Sequence, residues 1–298
     1  MKFSVVTPSF NQGKYIQRTI ASVLQQKEVE FEYVIMDGGS TDKTLDVLSA
    51  HANQLVYVSE PDLGQAHAVN KAIKQTCGEY IGWLNSDDIY YPGALKKVAD
   101  FFDQHPGVDV VYGKAYQIDD EDQVLEDYPS EPFSFSRLKV HCFISQPAAF
   151  IRRSALNKHG MLNERLTFCM DYEYWLRLAK AQATFAYLPE VLSGARIYAD
   201  TKSSRCYLQA HLEALNMLND TLGSVPSQWI VNYSTAKVKT KYRLKFPQPL
   251  FLLRSWQTLW EAAGLHKKGI ARLLVWFQAQ QVLGGKIIDK LLSVKPNR

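Results

Sequence analysis

In the first half of the chain, short apolar runs alternate with stretches whose apolar positions recur every three or four residues. Phe3-Ser4-Val5-Val6 reads as a strand stopped by Thr7-Pro8-Ser9. From Lys14 to Gln26 the residues Tyr15, Ile16, Ile20, Val23 and Leu24 fall on one helical face. Phe31 to Met36 is a second strand, and Asp37-Gly38-Gly39-Ser40-Thr41-Asp42 a turn. Ser40 or Thr41 is placed to cap the next helix, which runs through Leu45 and Leu48. Further on, Leu55 to Val58 reads as strand, Gly64 to Gln75 as helix and Tyr80 to Leu84 as strand. Pro92 to Gln104 then reads as helix and Asp109 to Ile118 as strand. Strand and helix alternating through short connections predict an α/β fold, a mainly parallel sheet flanked by helices.

The middle is less regular. Asp119 to Glu131 is acidic and reads as a loop or hairpin, Gln146 to Ile151 as a strand, Asp171 to Ala181 as a helix, and Thr184 to Leu188 as a short strand. From about Ser203 onward only helical patterns occur, interrupted near Pro226, Pro247 and Pro249. A boundary is expected near residues 200–225.

Composition changes this picture little: 298 residues, 46% hydrophobic and 21% charged, are ordinary for a globular protein that buries a sizeable core. The charge distribution changes it more. From Lys237 to the end there are 13 basic residues against Glu261 and Asp289, so the net charge of +4 hides an acidic body and a basic tail. Cys77, Cys142, Cys169 and Cys206 lie far apart in no metal-binding spacing and read as reduced thiols of a cytoplasmic protein. The N-terminus shows no signal-peptide pattern, and no apolar run reaches 18 residues, so no membrane-spanning segment is expected.

In an open parallel sheet, ligands sit at the carboxyl ends of the strands. Here those ends carry Thr7-Pro8-Ser9, Asp37-Gly38-Gly39, Glu60-Pro61-Asp62-Leu63-Gly64 and Asn85-Ser86-Asp87-Asp88. Asp87 and Asp88 read either as a metal site, because a divalent cation relieves the repulsion of adjacent carboxylates, or as acids at a helix N-terminus. Four polar strand ends on one rim favour the metal. Asp37 could accept an imide or amide proton from a base. Asp171, at the start of its helix, reads as a general base or as a cap. No GxGxxG follows the first strand, and no GxxxxGK[ST] exists, which argues against a dinucleotide enzyme and a P-loop hydrolase.

Five segments, in order, resemble the family 2 inverting glycosyltransferases: VVTPSFNQGKYIQRTIASVLQQ, EYVIMDGGSTDKT, EPDLGQAHAVNKAIKQTCGEYIGWLNSDD, ISQPAAFIRRSALNKHGMLNE and MDYEYWLRLA. The resemblance covers roughly residues 3–205 and implies a glycosyltransferase A-type, Rossmann-like fold with an all-helical C-terminal region. It implies a catalytic layer over residues 1–205 and a basic helical region over residues 206–298. It further implies that Thr7, Pro8, Ser9, Asp37, Asp62, Asn85, Ser86 and Asp87 bind the nucleotide-sugar donor, of UDP or GDP type. Asp87 and Asp88 would hold Mn²⁺ or Mg²⁺, and Lys202 and Arg205 would assist the departing diphosphate. Asp171 falls where the family has its catalytic base, acting on a hydroxyl of a glycan or lipid-linked acceptor.

Two positions depart from the family pattern. Asn85 stands where the DxD-type motif has its first Asp, and Tyr198 stands where many relatives have a histidine. They keep open a sugar-nucleotide-binding protein without catalysis. A nucleotidyltransferase on a related fold ranks lower, since TPSFNQGKY supplies one Gly and one Lys. No QxxRW is present, which argues against a processive synthase. Phe246 to Leu292 mixes Trp256, Trp260, Trp276 and Phe277 with basic residues. It reads either as a helical subdomain or as an element on an anionic membrane surface, peripheral on the inner face of the plasma membrane. Nucleic acid is not an expected partner.

Overall fold

The computed structural model describes residues 2–198, 201 and 205–242. The chain divides into two compact units, Met1–Ser204 and Arg205–Arg298.

The first unit is built on one sheet. Strands β1 (Lys2–Ser9), β2 (Glu30–Asp37), β3 (Val56–Ser59) and β4 (Tyr80–Trp83) pair in parallel in the order β3-β2-β1-β4. Helices α1 (Ile16–Leu24), α2 (Thr44–Ala50) and α3 (Gln65–Lys74) make the crossovers. Next come β5 (Ile89–Tyr90), α4 (Ala94–Gln104), β6 (Val110–Ile118), β7 (Val124–Asp127) and α5 (Phe135–Leu138). A 3₁₀ turn (Gln146–Ala148) leads into β8 (Ala149–Arg152), followed by α6 (Arg153–His159), α7 (Met170–Lys180) and β9 (Phe185–Arg196). The sheet continues β4-β8-β6-β9-β5, with β7 paired to β6.

This far half is mixed. β8 runs antiparallel to both β4 and β6, while β6 and β9 are parallel. The expected parallel pattern therefore describes the half that carries the strand-end motifs. Parallel neighbours need a crossover of a dozen or more residues, usually a helix; β8 instead enters from a largely irregular segment and is free to run the other way.

The packing follows the sequence pattern. Ile16, Ile20 and Val23 of α1 are buried in one core with Phe3, Val5, Tyr33, Ile35, Leu95, Val98, Phe102 and Phe150. The Tyr80 and Phe102 rings stack at 4.3 Å, and the Arg152 guanidinium lies over both.

Strand β9 is 12 residues long rather than the short strand expected from Thr184 to Leu188. Pro189 and Glu190 break the alternation, and the pairing with β6 shifts register there: Leu188 faces Gly113, Val191 faces Lys114, and Ser193 faces Ala115. Proline has no N–H for a ladder, so it sits in the bulge and the strand resumes beyond it. This extension delivers Arg196 to the strand-end rim.

In the second unit, α8 (Tyr207–Leu222) ends at Gly223, whose φ of +72° suits glycine, and α9 (Ser227–Tyr242) follows. Leu215 of α8 packs with Ile230 and Val231 of α9. No helix among the described residues is long and apolar enough to cross a membrane. The basic segment from Phe246 to Leu292 lies outside the described residues.

Candidate active site at the strand ends

Beyond β4 the parallel ladder continues for one more bond, from Leu84 N to Val6 O at 3.0 Å, and then the chain turns. Asp88 N donates to Asn85 O at 3.1 Å, closing a four-residue turn that leads into β5. Asp87 and Asp88 are thus not helix caps, because α4 starts only at Ala94. From α1, the Thr19 hydroxyl reaches the carbonyls of Ser86 (2.9 Å) and Asp88 (2.8 Å).

Every polar atom of the Asn85 side chain is engaged. Oδ1 accepts from Gln65 Nε2 (2.8 Å) and Trp83 Nε1 (3.0 Å), and Nδ2 donates to Asp88 Oδ2 (3.2 Å) and Gln146 Oε1 (2.8 Å). An amide offers two lone pairs and two hydrogens, so the donor contact implied for Asn85 would need one of these four bonds to give way. Asp88, 5% exposed, accepts from Asn85 on Oδ2 and from the Arg196 backbone N–H on Oδ1 at 2.8 Å. Asp87 is partly buried; its Oδ2 accepts the Tyr198 hydroxyl at 2.9 Å.

Arg196, which no local sequence pattern singles out, fastens this turn. Its side chain is fully buried, with Nε donating to Asp87 O at 2.7 Å and Nη1 to Asp119 O at 2.5 Å; Nη2 pairs with Asp122. The guanidinium lies 5.0 Å from the centre of the Tyr15 ring, on which Tyr198 also packs at 4.7 Å. Arg196→Met keeps the stem and removes every one of these donors. We expect a loss of about 2 kcal/mol in urea unfolding, since removing the buried guanidinium leaves the Asp87 and Asp119 carbonyls without their donor. A change under about 0.5 kcal/mol, ordinary for a surface site, would mean that Arg196 does not anchor the turn.

Burial raises the Asp88 carboxyl well above the ordinary range, and the Asp87 charge adds to it. The Asp87 carboxyl is also raised by burial, against the pull of the Tyr198 hydroxyl and Arg196. Two adjacent carboxylates penalised in this way are relieved by a proton or by a cation. Both Asp88 oxygens are in use, whereas Asp87 has an oxygen beyond the one bonded to Tyr198. Among the described residues no cluster of three or more His, Cys, Asp or Glu forms a closed metal cage. The residues present therefore fit a hard dication such as Mg²⁺ or Mn²⁺, which keeps waters and substrate phosphates as most of its ligands. Asp87 is the one of the two with an oxygen left over to meet such an ion.

At the ends of β1 and β2 the loops are zipped together. Asp37, 1% exposed, accepts on Oδ2 from Gly39 N (3.2 Å), Ser40 N (2.8 Å) and Ser59 Oγ (2.7 Å), and on Oδ1 from Ser40 Oγ (2.5 Å). Ser40 Oγ accepts in turn from Asn11 N at 2.7 Å. Ser40 thus braces Asp37, and neither it nor Thr41 caps α2, whose N-cap position is Lys43. The Thr7 hydroxyl bonds Tyr33 and lies below the rim. Pro8 is buried, as is Ser9, whose carbonyl accepts Gly38 N at 2.8 Å and whose hydroxyl has no partner among the described residues. A side chain at Gly38 would meet Asp62 Oδ2 at 2.9 Å and Phe10 at 3.4 Å. Phe10 and Leu63, 59% and 80% exposed, are apolar groups at this edge that periodicity did not single out.

Asp171 lies in the first turn of α7, where the backbone N–H groups of Tyr172 and of Asp171 itself pull its pKa down. Burial nonetheless raises its pKa. Its charge helps push up the Cys142 thiol and the Tyr128 phenol, after burial as the main cause. Cys142 is four residues from Gln146, the partner of Asn85, so the two ends of that segment lie within about 14 Å. One short segment thus joins the surroundings of Asp171 to the acidic turn. Lys202 lies outside the described residues. Arg205 is exposed and opens the second unit.

The chain is similar to known glycosyltransferases. An uncharacterized glycosyltransferase of Rickettsia typhi is 25% identical over 221 residues, 71% of this chain and 69% of the relative. The chondroitin synthase of Escherichia coli is 32% identical over 181 residues, 59% of this chain and 26% of that longer protein. Among solved structures, Staphylococcus aureus TarS 1–349 in complex with UDP-GlcNAc superposes with a TM-score of 0.61 at 21% identity, over 88% of this chain and 81% of TarS 1–349. The mannosyltransferase PcManGT of Pyrobaculum calidifontis, in complex with GDP-Man and Mn²⁺, gives 0.58 at 17% identity, over 95% of this chain and 80% of PcManGT. These two are likenesses of fold. The sequence profile of one family, described as glycosyl transferase family 2, matches residues 4–160, more than half of the chain, and this protein belongs to that family.

Proposed function

We propose that the chain moves a sugar from a nucleoside-diphosphate sugar to an acceptor hydroxyl in one displacement that inverts the anomeric carbon. The observation that carries this reading is the pair of carboxylates Asp87 and Asp171. Each is raised by burial, they sit on different elements, and the 142–146 segment links their surroundings. The solved structures of similar fold bind UDP-GlcNAc, UDP or GDP-Man, which supports a UDP- or GDP-linked donor here.

In this reading the rim formed by Pro8, Ser9, Asp37 and Asp62 receives the nucleoside. Asp37 Oδ1 accepts one bond and has a lone pair for a base N–H, and the unpartnered Ser9 hydroxyl offers a donor. Asp87 would hold Mn²⁺ or Mg²⁺, which would supply positive charge for the diphosphate. Tyr198 and Arg196 fix the direction of Asp87. Asp171 takes the proton from the acceptor hydroxyl; a base raised towards working pH transfers protons more effectively than an ordinary carboxylate. The acceptor is a glycan or a lipid-linked sugar, and a lipid-linked one would give the basic C-terminal segment a membrane surface to meet. Chondroitin synthase, a relative, supports assembly of a polysaccharide or glycolipid.

A thermal-shift screen against UDP, GDP, dTDP and CMP donors, with and without Mn²⁺, tests this. We expect one nucleotide type to raise the melting temperature in a Mn²⁺-dependent way, since ligand at a hundred times its Kd adds about 2.7 kcal/mol of stability. No shift with any donor would contradict the proposal.

A further inference from the structure

The amide at position 85 stands where a family-like acidic motif would begin with a carboxylate, and its surroundings show why an amide is needed. The Trp83 indole N–H can only donate, so it fixes Oδ1 on its own side, together with Gln65. Nδ2 must then face Asp88 Oδ2 and Gln146 Oε1. Gln146 cannot turn round without giving up its bond to the Trp83 carbonyl. A carboxylate at position 85 would supply neither N–H and would set a second charge 3.2 Å from that of Asp88. Asp88 in turn receives the backbone N–H of Arg196, whose side chain holds the Asp87 carbonyl.

We propose that Asn85 is a positioning residue: its amide anchors Asp88 and, through Asp88 and Arg196, sets the direction in which Asp87 leaves the turn, so that a carboxylate in its place is damaging. The Asn85 side chain touches no ligand in this role. The inference rests on the acidic turn being the donor site for its functional consequence, while the Asn85–Asp88 pairing stands by itself.

The test compares the full chain with Asn85→Asp, Asp88→Asn and the double variant. The readouts are melting temperature and the Mn²⁺-dependent shift with UDP and GDP. Asn85→Asp is expected to lower the melting temperature by several degrees and to weaken the apparent affinity for Mn²⁺ plus nucleotide about tenfold, as loss of an outer-shell partner does. The double variant exchanges amide and carboxylate: the amide now at position 88 can donate to the carboxylate at position 85 and still accept from Arg196 N. It is expected to recover part of both losses: the 85–88 bond returns, while the bond to Gln146 Oε1 stays lost and position 88 no longer supplies a carboxylate. If Asn85→Asp alone does not fold, folding of the double variant supports the same pairing. Asn85→Asp at parental stability with equal or tighter Mn²⁺–nucleotide binding overturns the proposal, as does a double variant no better than the single one. If the parent binds no nucleotide with Mn²⁺, the donor reading falls, and the melting temperatures alone decide whether positions 85 and 88 are paired.

Discussion

Asp171→Asn is expected to cut sugar transfer by about 10²–10⁴-fold, the usual contribution of a general base, without loss of stability at neutral pH. The Asp171 carboxyl is raised by burial, with backbone N–H groups pulling the other way. The folded chain therefore keeps this proton to higher pH than the unfolded chain does. Between the ordinary carboxylate pKa and the raised one, the folded state binds more protons, so stability falls as pH climbs through that window. An amide carries no charge to penalise and still presents an oxygen to the N–H of Tyr172. The melting temperature of the variant at pH 7 should equal or exceed that of the parent. The parent's transfer rate should fall as pH drops through the raised pKa, because the protonated acid cannot accept a proton. A purely capping Asp171 predicts the opposite pair of results: transfer unchanged, and a stability loss of the order of a weakened cap, up to about 1 kcal/mol. Thermal melts and initial rates on one preparation separate the two roles.

Asp87→Asn carries the second large effect. The Asp87 carboxylate accepts the Tyr198 hydroxyl, while its backbone carbonyl holds Arg196, so the substitution leaves the fasteners of the turn in place. We expect Mn²⁺-dependent nucleotide binding to weaken at least about 100-fold, beyond the usual outer-shell effect, with little change in stability. Tyr198→Phe is the informative companion. Its ring keeps the packing against Tyr15 and loses only the hydroxyl on Asp87 Oδ2. A phenol that orients a ligating carboxylate predicts a loss of about tenfold in Mn²⁺ affinity, smaller than that of Asp87→Asn. Tighter Mn²⁺ binding in Tyr198→Phe would show instead that the phenol blocks the metal. Calorimetric titration of Mn²⁺ in the presence of nucleotide reads both variants.

The parallel half of the sheet was legible because each strand is a local apolar run and each crossover helix has its own periodicity. Asp87 and Asp171 were legible for a related reason: acids at a strand end or a helix start stand out against apolar neighbours. Contacts between distant segments were not. Arg196 lies 109 positions from Asp87, and Gln146 lies 61 from Asn85, so no local pattern marks either pairing. Pro189 hid the length of β9, since the bulge that accommodates it exists only in the pairing with β6. Ser40 read as a cap because Asn11, whose N–H its hydroxyl accepts, meets it only once β1 and β2 are side by side.

The central claim is that Asp87 and Asp171 serve the two ends of one reaction. Its most direct test is a crystal structure of Asp171→Asn with Mn²⁺ and the intact donor selected by the thermal screen. The account predicts Mn²⁺ bridging Asp87 and the diphosphate, the nucleoside against Ser9 and Asp37, and the face of the anomeric carbon opposite the diphosphate open towards residue 171. A donor bound with its diphosphate away from Asp87, or with its sugar turned away from residue 171, would contradict it.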